Sequence, residues 1–182
     1  LDPGFVAAFL KTIDCYVMGS RTYETALRFA AQGFGWAYGD KPTFVLTSRD
    51  LPRTRDTVEF YSGDLTQLVN GRLRPRFRSI WVGGGGEKRT LNITAKYADG
   101  WNVPFVSPEG FAHKSSVLTA HCESIGRDPK EVKRTVNVGI AWTEESLQSQ
   151  FGMLAEGVRP GVLTGSDEQV IDRIGQYVAA GA

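Results

Sequence analysis

A run of four glycines near the middle of the chain restricts its fold more than any other feature. The run consists of Gly83, Gly84, Gly85 and Gly86. It follows the apolar residues 80–82 and precedes a segment with helical spacing that begins at Glu87. Because glycine has no Cβ, its backbone can approach an anion closely, and the first N–H groups of the following helix point at that anion. The order of strand, glycine loop and helix therefore predicts an α/β protein that binds a phosphate group.

Short apolar runs alternate with amphipathic segments along the whole chain. Strands are predicted at residues 15–18, 43–46, 58–60, 79–82, 101–103, 135–141 and 161–163. Helices are predicted at residues 3–13, 21–31, 65–73, 87–98, 107–126, 144–156 and 166–178. This alternation is typical of the α/β class, with a mostly parallel sheet flanked by helices. Since each half of the chain leaves open strand edges, pairing of two edges would give a homodimer.

Charge and composition exclude several classes of partner. The chain has 21 Lys and Arg residues against 20 Asp and Glu residues, so no strong field attracts nucleic acid or a membrane surface. No apolar run approaches the roughly 20 residues that span a bilayer. His113 and His121 project in different directions from one helix, so no metal site is predicted. We therefore expect a cytoplasmic protein whose partner is a small-molecule nucleotide cofactor.

The remaining sequence features predict packing and chain boundaries. Cys15 and Cys122 lie in apolar settings and are expected as buried free thiols. Five aromatic residues are expected to fill the core: Trp36, Tyr38, Trp81, Trp101 and Trp142. Asp2 is expected to cap the first helix. Because the chain starts at Leu1 inside that helix and stops directly after the last one, we expect an excised piece of a longer protein.

Polar residues follow two strands that precede the glycines. The first group is Gly19, Ser20, Arg21 and Thr22. The second group is Leu46, Thr47, Ser48 and Arg49. Hydroxyl and guanidinium groups at the carboxyl ends of parallel strands suit nucleotide phosphates, so all three strand ends are predicted to line one crevice. The alternative interpretation of the first group is a Ser20 helix cap beside a surface arginine.

Residues 1–86 carry four segments in a recognisable order: IDCYVMGSRTYE, YGDKPTFVLTSRDLP, VEFYSGDL and SIWVGGGG. They resemble the dihydrofolate reductase-like family that includes the riboflavin-biosynthesis reductase domain. The resemblance implies NADPH binding, with residues 19–22 at the cofactor phosphates and residues 46–49 beside the adenosine and its 2′-phosphate. The glycines would then receive the pyrophosphate. The implied reaction is hydride transfer from NADPH to a pteridine- or pyrimidine-like substrate.

Residues 83–182 carry different motifs, also in order: Gly-Glu-Lys-Arg-Thr, Tyr-Ala-Asp-Gly-Trp-Asn and Gly-Arg-Asp-Pro. They resemble the C-terminal part of luciferase-like flavin- or deazaflavin-dependent oxidoreductases. That resemblance implies about three units of a (β/α)₈ barrel. It also implies that the glycine loop contacts the phosphate-bearing tail of the flavin or deazaflavin coenzyme.

Together the two resemblances predict a chimera, natural or engineered, joined at a shared phosphate loop. The parts are a dihydrofolate reductase-like nucleotide-binding part, 1–82, and a luciferase-like, barrel-derived part, 83–182, which are separate or merged into one domain. Neither part holds a complete catalytic centre, so the sequence identifies no catalytic residue and leaves catalysis open. The leading hypothesis is an NADPH-binding protein of oxidoreductase ancestry. The alternatives are a flavin- or deazaflavin-dependent oxidoreductase and a non-catalytic fusion scaffold.

Overall fold

A computed structural model of the chain describes residue 8 and residues 11–182, apart from the side chain of Phe34. The predicted cap at Asp2 and most of the predicted helix at 3–13 lie outside the described residues. By internal contacts the chain divides into two compact units, Leu1–Phe77 and Arg78–Ala182. Within the described ranges, no helix combines the length and the apolar character needed to cross a membrane.

The first unit is built on a three-stranded parallel sheet in the order β1-β2-β3. Its strands are β1 (Tyr16–Gly19), β2 (Thr43–Leu46) and β3 (Val58–Tyr61). Its helices are α1 (Ser20–Phe29), which continues into a π-helical turn at Ala30–Phe34, and α2 (Leu65–Gln67), which continues into a second such turn at Leu68–Leu73. The core of this unit centres on Tyr23, which is fully buried and donates a 2.7 Å hydrogen bond to the Pro52 carbonyl.

The second unit contains two parallel sheets. The larger sheet consists of β4 (Trp81–Gly83), β5 (Gly100–Pro104) and β6 (Lys133–Asn137), in that order. The smaller sheet pairs β7 (Gly139–Ile140) with β8 (Val162–Leu163). Its helices are α3 (Thr90–Tyr97), α4 (Pro108–Glu123), α5 (Glu144–Phe151), α6 (Ala155–Val158) and α7 (Asp167–Ala179). Single 3₁₀ turns lie at Pro129–Glu131, Gly152–Leu154 and Arg159–Gly161.

Helix starts in the second unit follow the local sequence signals. The Ser107 hydroxyl accepts a hydrogen bond from the Gly110 amide, and Pro108 occupies the first position of α4. Ser166 and Gln169 form a reciprocal capping box at the start of α7. Parallel strands that alternate with helices in both units confirm the α/β class.

Helix α4 packs against one face of the β4-β5-β6 sheet. Trp101 and Val103 of β5 point into the largest apolar cluster, where Phe111 and Leu118 of α4 pack against them. Cys122 is buried in the same cluster as a free thiol, as predicted, whereas Cys15 is only partly buried. The alternate residues of β5, among them Asn102, lie on the opposite face of the sheet.

Two of the core predictions are wrong. Trp81 and Trp142 were expected to be buried, but they are 48% and 57% exposed. Trp81 lies on the face opposite Trp101, with its ring over Gly100, where an added Cβ would come within 2.6 Å of ring atoms. Ala141 is buried in a smaller apolar cluster, whereas Trp142, the next residue, is not part of that cluster. Of the predicted core tryptophans, Trp101 is confirmed as fully buried.

Several element boundaries also differ from the sequence prediction, and two of them bear on the architecture. The single strand expected at 135–141 is divided at Val138, because Asn137 pairs with Pro104 of β5 while Gly139 pairs with Val162 of β8. The helix expected from Glu87 begins three residues later. Residues 87–89 form a turn that is closed by a 3.0 Å hydrogen bond from the Leu91 amide to the Gly86 carbonyl.

The Gly-Arg-Asp-Pro motif joins three elements of the second unit. Gly126 has a φ of 71° just beyond the end of α4, a conformation that favours glycine. The Arg127 guanidinium donates to the carbonyls of Ala95 and Ala98, both at 2.8 Å, and so satisfies the C-terminal end of α3. The Asp128 carboxylate accepts from the Lys130 amide and caps the turn that leads into β6.

Replacing Arg127 with alanine is expected to lower the free energy of unfolding by about 1.5–3 kcal/mol, because charged hydrogen bonds to the α3 carbonyls are lost. Chemical denaturation of the two proteins measures the difference. The matched control is Lys130→Ala, which removes an exposed cation from the same segment and is expected to change stability by less than about 0.5 kcal/mol. Equal stabilities for the two variants would contradict the capping role of Arg127.

Candidate functional site: the glycine loop of the second unit

The glycine loop, residues 83–86, continues β4 beyond the carboxyl end of a parallel sheet. Gly83 is in register with Asn102 of β5, and the Gly84 amide donates a 2.9 Å hydrogen bond to the Asn102 carbonyl. Gly84 has a φ of 110°, which residues with a side chain rarely adopt. The backbone therefore turns sharply at the carboxyl end of the strands, where α/β proteins bind their ligands.

The loop is held by its carbonyl oxygens. Trp101 donates its indole N–H to the Gly84 carbonyl at 2.9 Å, and Lys114 donates from Nζ to the Gly85 carbonyl at 2.9 Å. The Gly86 carbonyl accepts from the Leu91 amide. In contrast, the amides of residues 85–89 donate to no acceptor in the described part of the chain. This arrangement leaves a run of backbone N–H groups available for an anion.

Neighbouring side chains lie close to the loop at two of its glycines. A Cβ at Gly85 would lie 3.0 Å from Cε of Lys114 and 3.3 Å from Cγ2 of Val103. A Cβ at Gly86 would lie 2.9 Å from the Thr90 hydroxyl oxygen. The missing side chains therefore allow the loop to pack closely against α3, α4 and β5.

Side chains from α4 converge on Glu87, the first residue after the loop. Lys114 Nζ lies 3.2 Å from Oε1 of Glu87, and His113 Nε2 lies 3.3 Å from the same oxygen. The hydrogen bond from Lys114 is the main cause that lowers the pKa of the Glu87 carboxyl below its usual value. His121 Nε2 contacts the Glu87 carbonyl at 2.9 Å.

The sequence interpretation missed Lys114, His113 and His121 as neighbours of the loop. A signal was present, because Lys114 and His121 are seven residues apart and so lie on one face of α4. Nothing in the local sequence links this helix face to a loop that lies 29 residues earlier.

Lys114→Met is expected to raise the pKa of Glu87 towards the ordinary glutamate value of 4.5. A lowered carboxyl pKa stabilises the fold above the unfolded value, and this contribution is lost as the pH falls through the folded value. The wild-type protein should therefore keep Glu87 ionised at lower pH than the variant does. NMR titration of the Glu87 carboxyl carbon measures both values, and identical titration curves would contradict the contact.

Polar side chains next to the loop lie on the face of the sheet opposite α4. Asn102 donates from Nδ2 to the Thr135 hydroxyl at 2.9 Å and to Oδ1 of Asn137 at 3.0 Å. Thr135 in turn donates to the Trp101 carbonyl at 3.1 Å. This network fixes the polar groups beside the loop. Among residues 8 and 11–182, no three His, Cys, Asp or Glu side chains gather as metal ligands would.

The other predicted site residues lie in the first unit. β1 and β2 are adjacent and parallel, with Gly19 in register with Leu46, so the groups 19–22 and 46–49 follow neighbouring strand ends. The alternative in which Ser20 caps a helix is wrong, because Gly19 occupies the cap position and no side chain caps α1. The carboxylate of Glu24 holds the Arg49 guanidinium through two hydrogen bonds of 2.5 and 3.0 Å. The glycine loop belongs to the second unit, and a single crevice lined by all three groups stays a prediction.

Two solved structures resemble part of the chain. One is the coenzyme F420-dependent tetrahydromethanopterin reductase from Methanopyrus kandleri, with 14% sequence identity and a TM-score of 0.43 over 57% of this chain and 43% of that one. The other is DmoA from Hyphomicrobium sulfonivorans, with 17% identity and a TM-score of 0.33 over 57% of this chain and 30% of that one. The chain thus spans less than half the length of each. No curated protein sequence matches it.

The family comparison covers more of the chain. The model of the luciferase-like monooxygenase family matches residues 44–155, which include the glycine loop and the Gly-Arg-Asp-Pro motif. The match confirms the luciferase-like resemblance and begins before the glycines, inside the segment that resembles a reductase. No comparison supports the dihydrofolate reductase-like resemblance of residues 1–86. With more than half of its length matched, the chain belongs to the luciferase-like monooxygenase family.

Proposed function

We propose that the glycine loop binds the phosphate-bearing tail of a flavin or deazaflavin coenzyme, as part of a luciferase-like oxidoreductase. The observation that carries this proposal is that the backbone amides of residues 85–89 have no protein acceptor in the described part of the chain. The carbonyl oxygens of Gly84, Gly85 and Gly86, in contrast, all accept hydrogen bonds from other residues. Family membership favours this class of coenzyme over NADPH.

The residues of the loop have separate tasks in this proposal. The amides of Gly85 and Gly86 donate hydrogen bonds to phosphate oxygens, and the exposed side chains of Lys88 and Arg89 add positive charge next to them. Asn102 and Thr135 line the adjoining sheet face with fixed polar groups. The bound coenzyme would supply the redox chemistry, while this part of the protein binds and orients it.

Comparing FMN with riboflavin tests the phosphate contact directly, because the two flavins differ only in the phosphate group. We expect FMN to bind at least tenfold more tightly than riboflavin, measured by quenching of flavin fluorescence. Titration with coenzyme F420, followed in the same way, shows whether a deazaflavin is preferred. Equal affinities for FMN and riboflavin, together with no response to coenzyme F420, would refute the proposal.

A matched pair of glycine variants locates the contact. Gly84→Ala places a side chain at a φ of 110° inside the loop, whereas Gly126→Ala places one at a φ of 71° beyond the end of α4. Both variants strain the backbone, so both are expected to lose stability. Only Gly84→Ala is expected to remove the preference for FMN. The loss of that preference in both variants would point to a general effect of destabilisation.

NADPH binding at the first unit is the second candidate function, and the adjacent ends of β1 and β2 favour it. In this hypothesis Arg21 meets the cofactor phosphates, and hydride transfer to a pteridine- or pyrimidine-like substrate is the reaction. The Arg49 guanidinium would have to exchange Glu24 for the 2′-phosphate. We expect Arg21→Ala to weaken quenching of tryptophan fluorescence by NADPH, and the absence of any NADPH response would eliminate this candidate.

The third possibility is a folded scaffold without catalysis. A ligand at a hundredfold excess over its dissociation constant stabilises the protein by about 2.7 kcal/mol. A thermal-shift measurement with FMN, coenzyme F420 and NADPH therefore separates the three functions. A melting temperature that none of them raises would leave only the scaffold.

A further inference from the structure

We propose that Lys114 is a positioning residue for the phosphate site. It holds the glycine loop through the Gly85 carbonyl and neutralises the carboxylate of Glu87. This inference rests on the proposed function, because Lys114 affects ligand binding only if the loop receives a phosphate. The hold of Lys114 on the loop, however, is a property of the ligand-free protein and can be measured there.

The contact with the loop is close and shielded. Lys114 Nζ donates to the Gly85 carbonyl at 2.9 Å, and the Lys114 side chain is only 22% exposed. Its stem lies where a Gly85 side chain would be, since Cδ and Cε would be 3.1 and 3.0 Å from an added Cβ. A long cationic side chain that packs its stem and donates from its tip has little freedom left. Lys114 therefore fixes the peptide plane that Gly85 shares with Gly86, and with it the direction of the Gly86 amide.

The second role is electrostatic. Glu87 directly follows the glycines, so its carboxylate lies close to the amides that would receive a phosphate. Two like charges at such a site repel, and a bare carboxylate would oppose anion binding. Lys114 and His113 both approach Oε1 of Glu87, but the His113 side chain is 63% exposed. The shielded ammonium group of Lys114 is therefore the main neutralising charge.

The two roles make different predictions for a double-mutant cycle. Lys114→Met removes both the hydrogen bond to Gly85 and the charge opposite Glu87, whereas Glu87→Gln removes only the carboxylate. We expect Lys114→Met to reduce FMN affinity at least tenfold and to change riboflavin affinity less than twofold. The double variant should recover at least threefold of the FMN loss, because the uncompensated carboxylate is gone.

Two further variants separate positioning from general damage. Lys114→Arg keeps a cation within reach of Glu87 and should retain most of the FMN preference. Lys96→Met removes an exposed lysine from α3 and should change neither affinity by more than twofold. A variant that simply failed to pack would lower the affinities for FMN and riboflavin together.

Backbone order parameters of residues 85–87, measured by ¹⁵N NMR relaxation without ligand, test the hold on the loop independently. We expect lower order parameters, and so a more mobile loop, in Lys114→Met than in wild type and in Lys96→Met. Unchanged order parameters together with an unchanged ratio of FMN to riboflavin affinity would overturn the inference. If wild type does not distinguish FMN from riboflavin, the proposed function fails, and the comparison of order parameters still decides whether Lys114 positions the loop.

Discussion

Trp101→Ala is expected to lower the free energy of unfolding of the second unit by about 3–5 kcal/mol. The side chain has no exposed surface, and its ring stacks on Phe111 with centroids 5.5 Å apart and an interplanar angle of 15°. Truncation to alanine would leave a cavity between β5 and α4 that the surrounding backbone cannot fill. Urea denaturation followed by far-ultraviolet circular dichroism measures the change without relying on tryptophan emission.

Trp101→Phe separates packing from the hydrogen bond to the loop. Phenylalanine keeps an aromatic ring but cannot donate to the Gly84 carbonyl, so a loss of about 1–3 kcal/mol is expected for the unsatisfied carbonyl and the smaller ring. The matched control is Trp142→Phe at a position that is 57% exposed, for which we expect a change within about 0.5 kcal/mol. A Trp101→Ala protein as stable as wild type would show that the indole is not part of the core.

Gly161→Ala is the second substitution with a large expected effect. A Cβ at this buried position would lie 2.5 Å from the Phe105 carbonyl carbon and 3.0 Å from the Val106 amide nitrogen. These are backbone atoms, and the Phe105 amide is fixed by a 2.9 Å hydrogen bond to Asn137. Phe105 also has a φ of 53°, which leaves it little room to adjust. We expect destabilisation by about 1–3 kcal/mol or more.

Gly157→Ala is the control for Gly161→Ala because it makes the same chemical change a short distance away. Gly157 lies in α6, and a Cβ there would meet nothing within 4 Å. Alanine is preferred over glycine in helices by about 1 kcal/mol, so this variant should be equally stable or more stable than wild type. Denaturation of both proteins under one set of conditions measures the opposite signs. A neutral Gly161→Ala would contradict the close approach to Phe105.

Features with local causes were predictable from the sequence. The helix starts near residues 107 and 166 depend on capping residues within one helical turn, and both predicted starts are confirmed. The position of the glycine loop between a strand and a helix follows from adjacent residues in the same way. Lys114 was not predictable, because its contact with Gly85 depends on how α4 packs against the sheet.

Features that depend on the identity of a neighbouring strand were predicted less well. Residues 135–141 are predicted as one strand, and only the change of pairing partner from β5 to β8 divides them at Val138. Trp81 read as a core residue because it stands beside Ile80 and Val82. Its exposure depends on which face of β4 the helices cover, and a single sequence does not contain that information.

The Gly-Arg-Asp-Pro motif has a consequence for how related chains are recognised. Its arginine is occupied with the end of a neighbouring helix and with Glu131, and its aspartate caps a turn. Such a signature therefore reports architecture, and a chain can carry it intact after its chemistry has been lost or exchanged. Assigning an activity to a newly sequenced relative requires residues at the carboxyl end of the sheet, where the glycine loop lies.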